Sequence, residues 1–159
     1  MKITIVAVGK IKEKYLTMGI AEFVKRLTPY CRLSIIEVDE ERMPDNPSDA
    51  EKVKVLFKEG ERMLKHVKEG THLIVLDVVG KLASSEELAE KISILGISGK
   101  SDITFVIGGA FGLSPDIVKA ASERLSFSKM TFTHQMIRLL LVEQVYRAFK
   151  INRGEPYHL

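Results

Sequence analysis

The sequence predicts an α/β fold: a mostly parallel sheet with helices on both faces, in a single domain over residues 1–159. Three observations carry this. Short β-branched apolar runs alternate with stretches of helical spacing from one end to the other. The runs are apolar on both sides of the strand, as expected where both sheet faces are covered. No repeat, low-complexity tract or linker interrupts the chain, whose length suits one domain.

The elements follow in order. KITIVAV (2–8) reads as a buried strand ended by Gly9. Residues 13–28 have helical spacing and stop before Pro29. RLSIIEV (32–38) is a second strand, and EERMPDNPSD (40–49) is the one long irregular stretch. Ser48 opens a helix to about residue 68, with Glu51 completing a capping box. HLIVLDV (72–78) is a third strand. Ser84 and Glu87 make a second capping box, leading a helix into the mid-90s. DITFVIGG (102–109) is a fourth strand, and Ser114-Pro115-Asp116 starts another helix, with Ser as cap and Pro at the first helical position. A short strand near 125–127 precedes FSKMTFTHQMIR (127–138) and a last helix over about 134–150.

That last helix is apolar at nearly every angle, from Ile137 through Leu139, Leu140, Leu141, Val142 and Val145 to Phe149. Such a helix must be covered all round. With one face on the sheet, the other calls for a second subunit, so a homodimer is expected.

The bulk composition, 45% hydrophobic and 28% charged, is that of an ordinary globular protein. No apolar run approaches a membrane span, and MKITIVAVGK is not a signal peptide, so a cytoplasmic protein without a membrane partner is expected. A lone Cys31 excludes an internal disulfide and any multi-cysteine zinc site, and no metal-ligand pattern appears; no metal is expected. The net charge of +3 is unevenly spread. Residues 1–32 carry +5, residues 33–118 carry −6 and residues 119–159 carry +4. If the fold joins the two basic ends, they form a face suited to phosphates; otherwise the asymmetry is a solvated surface.

Ligands of parallel sheets bind beyond the carboxyl ends of the strands, so the turns after residues 8, 77, 109 and 127 are the places to search. GISGKS (96–101) lacks the first glycine of a phosphate loop and precedes a strand, which excludes that motif. IGGAFGL (107–113) is not a dinucleotide fingerprint; it is either a tight turn needing positive φ or a ligand contact. His66 and His72 read as structural. His134 opens the last helix, either as a cap or as a ligand or proton-transfer group. Arg147 either pairs with Glu143 four residues earlier or, like Arg138, serves an anion. FSKMTF (127–132) alternates core and polar residues, as a segment that is both core and binding surface would.

VGKIKEKY (8–15), SSEE (84–87), VIGGAFGL (106–113), LSFSKMTFTHQMIR (125–138) and EQVYRAFKINRGEPYHL at the end together resemble the RlmH family along the whole chain. These are pseudouridine N3-methyltransferases of large-subunit (23S) ribosomal RNA. The resemblance implies the SPOUT fold, with its C-terminal segment threaded as a trefoil knot, an arrangement general topology rules would refuse. It implies S-adenosylmethionine as cofactor, in a pocket lined by Leu76, Gly108, Phe127, Ser128, Lys129, Met130, Thr131 and Phe132. It places His134, Arg147 and Tyr157 on the substrate side. Two positions depart from the family pattern: Thr133 stands where proline is usual, and Phe111 where a polar residue is common.

The chemistry so implied needs alignment of N3 with the donor methyl and removal of the N3 proton. His134 or His158 is the base, the choice being open; His158 gains a role if the tail of one subunit closes the other's pocket. Recognition of ribosomal RNA, on an assembled ribosome, would use Lys10, Lys12, Lys14 and the C-terminal basic residues Arg138 and Arg153. The rival expectations are a methyltransferase acting on another nucleotide and a non-catalytic RNA-binding protein.

Overall fold

Alternate residues of the central strands feed two separate cores. In β1 (Lys2–Val8), Ile3, Ile5 and Ala7 join one cluster while Val6 and Val8 join the other. In β4 (Asp102–Ile107), Ile103, Phe105 and Ile107 face the first cluster and Val106 the second. This period-two division is what a sheet covered on both faces requires. The structure, a computed structural model, describes residues 1–158.

The other elements are α1 (Lys14–Leu27), β2 (Arg32–Val38), α2 (Asp49–Leu64), β3 (His72–Leu82), α3 (Ser85–Ile97), α4 (Pro115–Ala120), β5 (Glu123–Ser126) and α5 (Met136–Asn152). The five strands are ordered β2-β1-β4-β3-β5, and every pairing is parallel. Residues of α1, α3 and α5 pack into the first core, those of α2 and α4 into the second. The α/β expectation with helices on both faces holds. Both capping boxes form, Ser48 with Glu51 and Ser84 with Glu87, and Ser114 accepts from Ile117 N–H beneath Pro115. No helix of the described residues is long and apolar enough to cross a membrane.

Three elements differ from their expected forms. The second helix stops at Leu64 rather than near residue 68. β3 runs on to Leu82 because it pairs twice with β5. Leu125 faces Leu76, and after a register shift it faces Lys81 as well. Gly80 makes this possible, since a Cβ there would lie 2.8 Å from the β5 backbone at Arg124 and Leu125. Finally, α5 is covered within one chain more fully than its sequence suggests. Its flanks meet α1, where Gly19 leaves room for Leu139, and α3, where Asn152 donates to the Ala89 carbonyl and Ser85 bonds Gln144. Cys31 is half-buried beside the first core, and burial pushes its thiol up to about 11.

Candidate active site

Strand order positions the site. After β1 the chain moves to β2, and after β4 it moves to β5, so the outgoing connections diverge between the neighbours β1 and β4. That is a switch point, where parallel sheets leave a crevice at their carboxyl ends. A cavity of about 890 Å³ opens at the carboxyl ends of β4, β3 and β5 and reaches the β1–α1 connection. The β1–α1 loop supplies Glu13, the end of β3 supplies Leu76 and Asp77, and the turn after β4 supplies Gly108 to Leu113. The segment after β5 supplies Phe127, Ser128, Met130, Thr131 and Phe132, then Thr133 and His134.

The glycine turn is the tight turn that its sequence allowed, and its ligand-contact reading stays an expectation. A Cβ on Gly108 would meet the Gly112 carbonyl oxygen at 2.4 Å, and Gly112 has φ +91°. The turn is therefore too tight for side chains at these positions, and it also forms a wall of the cavity. The strip after β5 holds its shape with its own side chains. Ser126 Oγ donates to the Ser128 carbonyl, and the Met130 N–H donates to Ser128 Oγ. Thr133, in the position where proline was expected, accepts from the Met136 N–H and steadies the start of α5. Phe111 lines the cavity and is half-exposed, putting an aromatic face where a polar group was expected. Of the expected cofactor residues, Lys129 alone is absent from the lining; its side chain is exposed, and the strip's neighbouring residues form the wall.

The electrostatics of the cavity are one-sided. Among the described residues its lining holds two carboxylates, Glu13 and Asp77, and no lysine or arginine. His134 lies in the wall, and burial chiefly, then the Arg138 guanidinium, pulls its pKa below the ordinary value, with Glu40 opposing. This favours the neutral ring, which is able to accept a proton.

The other expected catalytic residues lie elsewhere. Arg147 grips Glu143 with Nε and Nη2 at 3.0 and 2.5 Å, as the i,i+4 spacing allowed. The Tyr157 hydroxyl donates to the same Glu143 oxygen at 3.0 Å. Arg147 Nη1 also lies 3.2 Å from His158 Nδ1, and His158 Nε2 lies 2.6 Å from Glu86. Because arginine can only donate, Nδ1 accepts and Nε2 carries the proton. Both ring nitrogens are then engaged. None of these three residues lines the cavity of its own chain.

Arg138 is a correction. It is 1% exposed, donates to the Val8 and Gly9 carbonyls at 3.0 Å each, and pairs with Glu37 at 2.7 Å. It clamps the end of β1 from α5 and is closed to RNA. Lys10 and Lys12, on the loop beside the cavity, and Lys14, at the start of α1, are exposed. Arg153 is also exposed, with its guanidinium 4.6 Å from the centre of the Tyr30 ring, just ahead of β2. Sequence reasoning missed Glu13, Asp77, Ala110 and Gln135 as lining residues. The turn after residue 77 was flagged, but no motif singles out the acids.

Residues 1–158 match the family described as "Predicted SPOUT methyltransferase". The chain belongs to that family, and is by class a methyltransferase. It is 60% identical over 158 residues to the ribosomal RNA large subunit methyltransferase H of Halothermothrix orenii, with 99% of each chain covered. The protein of the same name from Clostridium novyi is 56% identical over the same length and coverage. The family resemblance read from the motifs is thus borne out. Among solved structures, a probable methylase family protein from Haemophilus influenzae shares the fold with a TM-score of 0.54 at 15% identity, covering 99% of this chain and 70% of that one. A probable methyltransferase from Bordetella pertussis gives 0.56 at 14%, covering 92% and 95%.

Proposed function

We propose that this chain transfers a methyl group from S-adenosylmethionine to N3 of a pseudouridine in large-subunit ribosomal RNA, on assembled ribosomes, as a cytoplasmic homodimer. The observation that carries the reading is the cavity, in a chain 56–60% identical to enzymes named for this RNA. Its volume, about 890 Å³, is in the range of small-molecule sites. Its apolar wall of Leu76, Phe127, Met130 and Phe132 suits a nucleoside, and a lining with no cation and one carboxylate, Glu13, not held by an arginine favours a positively charged ligand over a phosphorylated one. S-adenosylmethionine fits both features, and when bound it supplies an already activated methyl group.

The residues of the chain then have distinct tasks. The strip 127–132 and the glycine turn hold and orient the cofactor. His134, neutral and in the wall, takes the N3 proton at a ring nitrogen; it is the better candidate because His158 has both nitrogens engaged. Arg147, Tyr157 and His158 act on RNA at the partner's cavity, which is how residues outside their own cavity serve the reaction. A trefoil knot belongs to the same proposal. Its support is the match of residues 1–158 to the SPOUT methyltransferase family.

The test is transfer of labelled methyl from S-adenosylmethionine to ribosomes lacking the modification, with nuclease mapping of the labelled nucleotide. Label on N3 of a pseudouridine is expected. Label on another nucleotide would overturn the substrate assignment, and no transfer would overturn the proposal.

A further inference from the structure

A cavity that takes a cationic ligand needs a counter-charge that is not already used. Asp77 does not offer one, because Arg124 holds its Oδ2 with Nη2 at 2.5 Å and Nε at 3.2 Å. Glu13 does. It occupies the N-cap position of α1 with extended backbone, φ −81° and ψ 122°, yet its side chain accepts no helix N–H. An aspartate here would ordinarily spend its carboxylate on the first turn, whereas the longer glutamate leaves it free. Here the carboxylate has no hydrogen bond or ion pair among the described residues, although Lys12 and Lys14 flank it in sequence. It is exposed and lines the cavity with Tyr15 and Leu16.

We infer that Glu13 holds the α-ammonium group of the cofactor's methionine moiety. The inference rests on the S-adenosylmethionine reading above and adds a ligand-holding residue to it. The polarity of the cavity separates the two ends of the ligand. Leu76 and Phe127, both half-buried, give the nucleoside an apolar place, while Glu13 is exposed, so an ammonium beside it loses little hydration. The pairing is an exposed one, so its contribution is modest and sensitive to salt.

Calorimetric titration of the full chain with three probes tests this: S-adenosylmethionine, S-adenosylhomocysteine and 5′-methylthioadenosine. The first has a sulfonium and an ammonium, the second only the ammonium, and the third neither. Glu13→Gln is expected to weaken the first two by the same factor, about three- to five-fold, and to leave the third unchanged. Glu13→Asp should fall between Gln and the wild type. Added salt should weaken S-adenosylmethionine binding to the wild type, a readout that needs no variant. An unchanged affinity for all three overturns the inference alone. So does a loss confined to S-adenosylmethionine, which would put Glu13 on the sulfonium, or an equal loss for all three, which would mean damage to the pocket. A wild-type protein that binds none of the three overturns the cofactor reading itself.

Discussion

Burying a guanidinium costs several kcal/mol unless its protons are taken up. Arg138 gives its two terminal nitrogens to two carbonyls and a carboxylate, while its buried Nε–H has no partner among the described residues. The Val8 and Gly9 carbonyls would be left without this donor if it were removed. Arg138→Met should therefore lower unfolding stability by about 2–4 kcal/mol in urea titrations, while leaving the salt dependence of RNA binding unaltered. A steep loss of RNA binding in a stably folded variant would return Arg138 to the RNA surface. His134 makes the complementary case, a side chain whose charge is suppressed. Its pKa is lowered by burial and by Arg138. Methyl transfer should rise with pH to a plateau, with a midpoint below the ordinary histidine value of about 6.5, and His134→Asn should cost about 10²–10⁴-fold. Linkage has the same sign. The unfolded chain binds this proton more readily than the native one, so stability is full above about pH 6.5 and is lost as the pH falls toward the lower native value. An NMR titration of the His134 ring that gives a midpoint above 6.5 would reverse both statements.

At the scale of elements, the pairing of β3 with β5 is the feature most exposed to a single atom. Gly80→Ala places a Cβ 2.8 Å from backbone atoms of Arg124 and Leu125, which cannot turn aside as a side chain would. The expected cost is about 3 kcal/mol or more, read as a lowered unfolding midpoint together with loss of cofactor binding, because Leu76 and Phe127 flank the same junction. A neutral outcome would mean that β5 can move away from the bulge. Local chemistry made much of the fold legible. A capping box spans three residues, so Ser48–Glu51 and Ser84–Glu87 could be read directly. What depends on distant chain could not. β3 has the same apolar residues whether it ends at Val78 or turns back against Leu125. Arg138 looks available for an anion until Glu37, 101 residues away, is placed beside it. The cavity was legible at its turns, since glycines and the 127–132 strip mark backbone with unusual demands. Glu13 was not, because an acid among lysines in a loop carries no pattern of its own.

The whole molecule sets where charge can meet RNA. The two basic chain ends meet only in part within a single chain: Arg26 and Lys150 lie 5.9 and 5.7 Å from the centre of the Tyr146 ring, and Arg153 stands over Tyr30. Lys10, Lys12 and Lys14 stand beside the cavity, while Arg153 follows the 17 residues of α5, about 25 Å along a helix that begins at the cavity wall. Arg124 and Lys129 already stand at the cavity within one chain, through Asp77 and the lining strip, so in the proposed homodimer the second subunit would serve to bring Arg153 back to the site. α1 offers an apolar surface for that contact, with Tyr15 62% and Met18 71% exposed. Binding to ribosomes should weaken with salt by a log–log slope of about 0.7–0.9 per neutralised phosphate. Replacing the three lysines by alanine should flatten the slope by about two to three, whatever the oligomeric state. Arg153→Ala should flatten it by somewhat under one, but only in the dimer. Met18→Glu, at an exposed position, should leave the single chain folded and put a charge into the α1 contact. Sedimentation should then show monomers, and in that background Arg153→Ala should have no effect on the slope while the lysine variants keep theirs. If Arg153 contributes equally with and without Met18→Glu, RNA reaches both ends of one chain and the dimer is not what joins them.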